Sequence, residues 1–230
     1  SLRRIGEQRI GQATHVVAAG DRFFREALAA ELAGATGAKA APVLLARGTA
    51  SHPVTRGVVN QVQVVGTTAA FWSLAPKPSP SPLTPGKSGV AINETLGVRL
   101  GLAVGDTLVV RLQKPGILSG NAPIAGAESS LETLRVTVVA VVGDDSFGRF
   151  NLEATQVPPP SVFVPIELLQ AAYERPGRAN LLLLASDQSE DALAGALRRT
   201  LRLADYGLAV KWLERAGCFE VGSDRIFLDP

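Results

Sequence analysis

Apolar residues in this chain recur in two rhythms. Across positions 22–33, Phe24, Leu28 and Leu32 stand four apart and form one helical stripe. Burying three such side chains contributes about 1.5–3 kcal/mol each, so the stripe requires a sheet beneath it. Gly20-Asp21 turns the chain just ahead of the stripe, with Asp21 placed as the helix cap, and Gly34 and Gly37 supply stop signals. A strand at 14–19 precedes the helix, and strands at 42–46 and 57–66 follow it. The last alternates Val58, Asn60, Val62 and Val64 against Val59, Gln61, Gln63 and Val65. The same grammar returns later, with a strand at 179–185, a helix opened by 186–189 and carrying Leu193, Ala196, Leu197 and Leu201, and a strand at 207–213. Two such units predict an α+β fold, with a ferredoxin-like split βαβ lobe built from residues 12–75 and 161–230.

Between the two halves the pattern changes. Residues 76–85 are rich in proline and read as an extended linker, since proline cannot pair inside a sheet. Residues 86–160 then read as an inserted β-rich lobe. It has a strand at 89–92, a short helix capped by Asn93 and running through Leu100, and a Gly105-Asp106 turn into a strand at 107–112, which pairs with 134–142. The Gly-, Ser- and Asn-rich segment 114–130 between those strands is read as a mobile hairpin loop. A second irregular segment, 143–160, carries Asp144, Asp145, Phe147, Arg149 and Phe150. Phe147 and Phe150, flanked by charge in a loop, are expected to be exposed and, with Arg149, to form a partner contact. A strand at 161–164 re-enters, and Pro165 opens a helix running through Leu168, Leu169 and Tyr173.

Composition narrows the function classes. The 230 residues are 46% hydrophobic and 19% charged, enough to bury a real core, which excludes a disordered chain. A net charge of +2 with scattered Lys and Arg, and only 5% aromatic residues, gives neither the field nor the stacking platforms of a nucleic-acid binder. Met is absent, so Ser1 reads as a cut and the chain as a fragment. No apolar run approaches the roughly 18 residues of a membrane span.

Catalytic signatures are missing from the sequence: it has no Gly-x-Ser-x-Gly elbow, Walker loop, His-Glu-x-x-His, paired-cysteine spacing or dinucleotide-binding glycine pattern. His15, in a strand, and His52, in a turn before Pro53, lack neighbours at metal-ligand spacing and read as structural. Asp144-Asp145 reads as a solvated turn. Asn93-Glu94-Thr95 matches a glycosylation acceptor, which the helix cap explains equally well. Cys218, the one cysteine, reads as a small buried hydrophobe. Catalytic, cofactor-binding and metal residues are therefore none, and no cofactor is expected.

Several segments taken together resemble a known family. They are Asp21-Arg22-Phe23-Phe24 opening a helix, Phe71-Trp72, Gly89-Val90-Ala91-Ile92-Asn93-Glu94 leading into Leu96-Gly97-Val98-Arg99-Leu100-Gly101-Leu102, Gly105-Asp106-Thr107-Leu108, the strand from Val136, and Val162-Phe163-Val164-Pro165-Ile166. In order and spacing they resemble the extracytoplasmic (periplasmic) core domain of MacB/FtsX-type ABC transporter permeases. The resemblance implies a mixed α/β lobe with an inserted β-rich lobe, carried outside the membrane between transmembrane helices. It also implies the partners: a cytoplasmic ATPase subunit acting through those helices, a second permease copy, and an extracytoplasmic substrate or protein. The domain would then be a non-catalytic lever moved by ATP-driven motion. Arg3, Arg4 and Arg9, just beyond a membrane exit, run against the usual cytoplasmic bias of basic residues. Residues 223–230 read as a strand leading onward, so that the domain continues past this segment. Two rival readings remain: a secreted hydrolase using Asp144, Asp145 and a histidine, and a free-standing extracytoplasmic binding module.

Overall fold

The computed structural model describes residues 9–20, 22–113, 131–153, 155, 157–214 and 218–223. The expected loop at 114–130, the cap at Asp21, Arg3 and Arg4, and all but Ser223 of the onward strand lie outside them. The chain is a mixed α/β structure. Its first half runs β1 (His15–Ala18), β2 (Phe24–Arg25), α1 (Leu28–Thr36), β3 (Lys39–Ser51), β4 (Val58–Thr67) and α2 (Ala69–Ser73). Next come β5 (Gly89–Asn93), α3 (Glu94–Leu100), β6 (Thr107–Gln113) and β7 (Leu131–Val142). The last elements are β8 (Ser161–Pro165), α4 (Ile166–Ala172), β9 (Arg178–Ala179), β10 (Leu181–Ala185), α5 (Glu190–Thr200), β11 (Leu208–Leu213) and β12 (Cys218–Ser223).

Eight strands form one sheet in the order β1-β10-β3-β4-β8-β5-β7-β6, and β6 pairs in addition with β3. The sheet therefore curls until β3, β4, β8, β5, β7 and β6 close into a ring, leaving β1 and β10 as a wing on its edge. The long strand β3 makes the closure possible by changing neighbours. Its first half pairs with β10 over Lys39 to Val43, and its end pairs with β6 from Gly48↔Leu112 to Ser51↔Val109. Its other edge carries β4 from Leu44 onward. Gly48 stands where the backbones meet: a Cβ there would overlap the Arg111 carbonyl oxygen. Pro42 is tolerated within β3 because the Asn180 N–H donates to Val43 O (3.2 Å). Alternation then turns the bare Pro42 nitrogen to the opposite edge, ahead of the first β4 pair.

β5, β8, β10 and the first half of β3 are buried on both faces and read as nearly unbroken apolar runs, whereas β6, β7 and the start of β4 alternate buried with exposed positions. Val62, Val64, Val90, Ile92, Leu108, Val110, Val136, Val138, Val162 and Val164 join one core with Leu28 and Leu32 of α1, Leu96 of α3 and Leu169 of α4. The alternate positions Val43, Val65, Ala91, Phe163, Leu181 and Leu183 join a second core with Phe71 and Trp72.

Three expectations change. The segment 86–160 is not a lobe with its own sheet: β5, β6 and β7 are hydrogen-bonded into the ring with β3 and β8. Nor is 76–85 a free linker, since Lys77 N–H donates to Asp145 O (2.9 Å) and Leu83 is buried in the second core. The first helix starts at Leu28 rather than at residue 22. Phe24 and Arg25 pair with Ala179 and Arg178 as β2–β9, and the Arg25 amide donates to Asp205 Oδ1 (2.8 Å), so tertiary partners pull these residues out of the helix. β1 and β3 flank the antiparallel β10 with α1 between them in sequence, which is one split strand–helix–strand unit. β11 pairs with β12 in a separate two-stranded ribbon.

Candidate functional site

The loop expected to present aromatic side chains outward does the opposite. Phe147 and Phe150 are 0% and 1% exposed. Phe147 stacks on Phe71 (centroids 4.3 Å apart), and Phe150 meets Phe71 and Phe147 edge-on (5.2 and 5.6 Å), with Trp72 and Phe163 completing the cluster. Rings with this many partners are core, which corrects their assignment as an exposed contact. Arg149 alone of the three keeps its head at the surface, its Nη1 3.5 Å from Asp144 Oδ2. A partner touching this loop from outside would meet Arg149 and not the rings.

Asn93 holds the loop in place. Its Oδ1 accepts the Leu96 N–H and the Ser161 N–H (both 3.0 Å), and its Nδ2 donates to Gly148 O (2.9 Å) and Pro159 O (2.8 Å). One buried side chain thus caps α3 and ties both ends of 148–161 together. Its amide has no room or hydrogen left for a glycan, so the helix-cap reading of Asn93-Glu94-Thr95 holds. Phe147 adopts φ +64°, an uncommon conformation for a bulky residue, at the end of the 3-10 turn, and its ring stacks on Phe71. Where the described chain begins, Arg9 donates from Nη2 to Asn151 O (3.3 Å), fastening that segment to the same loop.

The residues named for a hydrolase, His15, His52, Asp144 and Asp145, are spread over β1, the turn after β3 and the turn after β7. His52 is buried, accepts the Val54 N–H on Nδ1 (3.2 Å) and has Nε2 4.0 Å from Asp106 Oδ2. His15 Nδ1 lies 2.9 Å from Thr14 Oγ1. Asp144 and Asp145 sit in a short 3-10 turn, where Asp144 faces Arg149. Among the described residues no contact joins either aspartate to a histidine, and no group of three His, Cys, Asp or Glu is placed to hold a metal. Cys218 is exposed on the β11–β12 ribbon, correcting its reading as a buried hydrophobe.

Two features escaped the sequence reading. The first is a cleft of about 470 Å³ at the fork where β3 leaves β10 for β6, lined by Phe23, Leu45, Arg47, Gln113, Tyr173 and Asn180 among others. Asn180 stands in for a missing strand: the Leu45 N–H donates to its Oδ1 (2.7 Å) and its Nδ2 donates to Leu45 O (2.8 Å). Tyr173 donates its hydroxyl to Gln113 O (3.1 Å), and burial pushes its phenol up to about 12. An asparagine directly ahead of the run Leu181 to Leu184 was the available signal.

The second is an ionic knot between β2, α1 and the 203–206 turn. Arg25 engages Asp205 (Nη2–Oδ2 2.9 Å) and Glu31 (Nη1–Oε1 2.7 Å), while Arg202 reaches Glu31 (3.0 Å). Burial pushes the Asp205 carboxyl up, but hydrogen bonds from the Arg25 guanidinium and from the Arg25 and Arg202 amides outweigh it, so the group lies below the ordinary range. Glu31 is lowered through its hydrogen bond to Arg25. These polar groups are consumed within the protein, so the knot is a clamp rather than a reaction centre.

Comparison with known proteins gives a consistent picture. Residues 3–200 match the family described as MacB-like periplasmic core domain. No curated protein matches the chain. The extracellular domain of the noncanonic ABC-type transporter YknZ from Gram-positive bacteria superposes with a TM-score of 0.52 at 14% identity, covering 87% of this chain and 90% of that one. The periplasmic region of MacB from Actinobacillus actinomycetemcomitans superposes at 0.50 and 10% identity, covering 87% of this chain and 79% of that one.

Proposed function

Because the chain belongs to the MacB-like periplasmic core domain family and is an extracytoplasmic domain of an ABC transporter permease, we propose that it works as a non-catalytic lever. In this reading flanking membrane helices anchor it at the extracytoplasmic face. A cytoplasmic ATPase moves those helices, a second permease copy faces it, and the domain conveys the motion to a substrate or partner outside the membrane. The observation that carries the reading is the closed sheet. β3 belongs to both the ring and the wing, so displacement applied at one pole is carried to the other along hydrogen-bonded strand. No helix among the described residues is long and apolar enough to cross a membrane.

The test uses the full-length permease reconstituted with its ATPase and spin labels at Asp187 and Thr55, both exposed and at opposite ends of β3. The separation of the two labels within one copy should stay constant through the nucleotide cycle, while the distance between Asp187 labels on the two copies changes. An unchanged inter-copy distance would sink the lever reading.

A further inference from the structure

We propose that the pole formed by residues 52–58 and 98–106 docks an acidic, apolar-sided segment of an extracytoplasmic partner protein. Val54, Val58, Val98 and Val104 are 83%, 57%, 84% and 62% exposed there. They belong to one surface. A methyl group on Gly57 would stand 3.2 Å from Leu100 Cδ2, which brings the β3–β4 turn onto the end of α3, and His52 beside Asp106 joins that turn to the loop entering β6. Beneath the valines, His52, Val59, Leu100 and Leu102 are buried and make the platform stiff.

The charge on this pole is one-sided. Arg56 and Arg99 are exposed, and the single carboxylate in the two stretches, Asp106, is half-covered and accepts the Ala103 N–H (2.8 Å). Two solvent-facing guanidinium groups among four bare valines complement a segment that alternates carboxylates with apolar side chains. Arg56 also holds φ +59°, a conformation glycine adopts without strain. The turn is pinned there by Arg56 N–H to His52 O (2.9 Å) and His52 N–H to Gly57 O (3.0 Å). The turn thus holds the Arg56 side chain at an exposed tip, where its charge faces solvent.

A bilayer offers similar chemistry, but two arginines fall short of the roughly four to eight clustered Lys and Arg that mark a lipid-binding surface. The choice of a protein partner rests on the extracytoplasmic lever reading above.

The probe is a fluorescent peptide alternating glutamate with leucine and valine, with a glutamine counterpart as control. The 230-residue chain should bind the acidic peptide at low salt and the glutamine peptide roughly tenfold more weakly. Arg56→Glu with Arg99→Glu should abolish binding, Val54→Ser with Val98→Ser should weaken it about fivefold, and Arg198→Glu with Arg199→Glu on α5 should leave it unchanged. Arg56→Gly should weaken binding without lowering the unfolding midpoint, a combination that separates recognition from fold maintenance. Absence of binding, or binding indifferent to Arg56 and Arg99, overturns the proposal while leaving the lever reading intact. Co-sedimentation with phosphatidylglycerol vesicles that is lost in Arg56→Glu with Arg99→Glu reassigns the pole to a membrane, and overturns the proposal.

Discussion

At the scale of single residues, Asn93 and Phe147 show how differently two loop-bound positions announce themselves. Asn93 was legible as a helix cap because the cap is local: the Leu96 N–H it accepts is three residues away. Its other three hydrogen bonds, to Gly148, Pro159 and Ser161, involve residues 55 to 68 positions distant, and no local pattern encodes them. Asn93→Ala would remove the cap and strand a buried Ser161 N–H and two carbonyls, so a loss of about 2–4 kcal/mol is expected in denaturant unfolding. Phe147 and Phe150 were illegible because their neighbours in sequence are Gly, Asp, Ser and Arg, while their ring neighbours in space are Phe71 and each other. Replacing either by Ala should cost about 3–5 kcal/mol, because a fully buried ring leaves a cavity its stiff aromatic partners cannot fill. An unfolding midpoint unchanged in Phe147→Ala would restore the exposed-contact reading.

At the scale of elements, the knot around Arg25 explains why α1 begins where it does, and it carries a pH signature. Asp205 and Glu31 are both held below the ordinary carboxylate range in the folded chain. Groups shifted down contribute stability that is present above their unfolded values, about 4, and is lost as pH falls through the folded ones. Stability should therefore drop as acid is added below about pH 4, and Asp205→Asn should flatten part of that decline while lowering stability at neutral pH. An identical acid limb in Asp205→Asn would show that the knot does not titrate with folding.

Tyr173 has the opposite sign. Its phenol is raised to about 12 by burial, so its contribution is intact below the unfolded value near 10 and lost as pH climbs from there through 12. Ultraviolet titration of the Tyr206→Phe variant, which leaves Tyr173 as the only tyrosine, should place its midpoint near 12. A midpoint near 10 would mean that the hydroxyl opposite Gln113 is open to water.

At the scale of the whole molecule, the sequence told apart strands, helices and turns wherever the pattern was local, and missed the architecture wherever one strand serves two partners. β3 read as a short strand at 42–46 because its second half, Arg47 to Ser51, mixes Arg, Gly, Thr and Ser. Those residues are in the sheet because β4 pairs with them on one edge and β6 returns some sixty positions later to pair with Gly48 to Ser51 on the other. The same switch makes a line of weakness. The ring closes on itself through the β3–β6 pairs, whereas the wing is held to it by five β10–β3 register pairs, the two Asn180 hydrogen bonds to Leu45 and the contacts of α1 and α5.

Local opening follows the elements with the fewest independent ties, so amides of β1 and β10 should exchange hydrogen through an opening of lower free energy than those of β4 and β8. Asn180→Ala removes the surrogate strand and leaves the Leu45 N–H and C=O without partners in a partly buried site. It should lower the wing's opening free energy by about 1–3 kcal/mol and leave the ring's unchanged. Hydrogen exchange resolved by residue decides the matter. If Asn180→Ala lowers β4 and β8 protection as much as that of β1 and β10, ring and wing unfold as one unit and the fork is no seam.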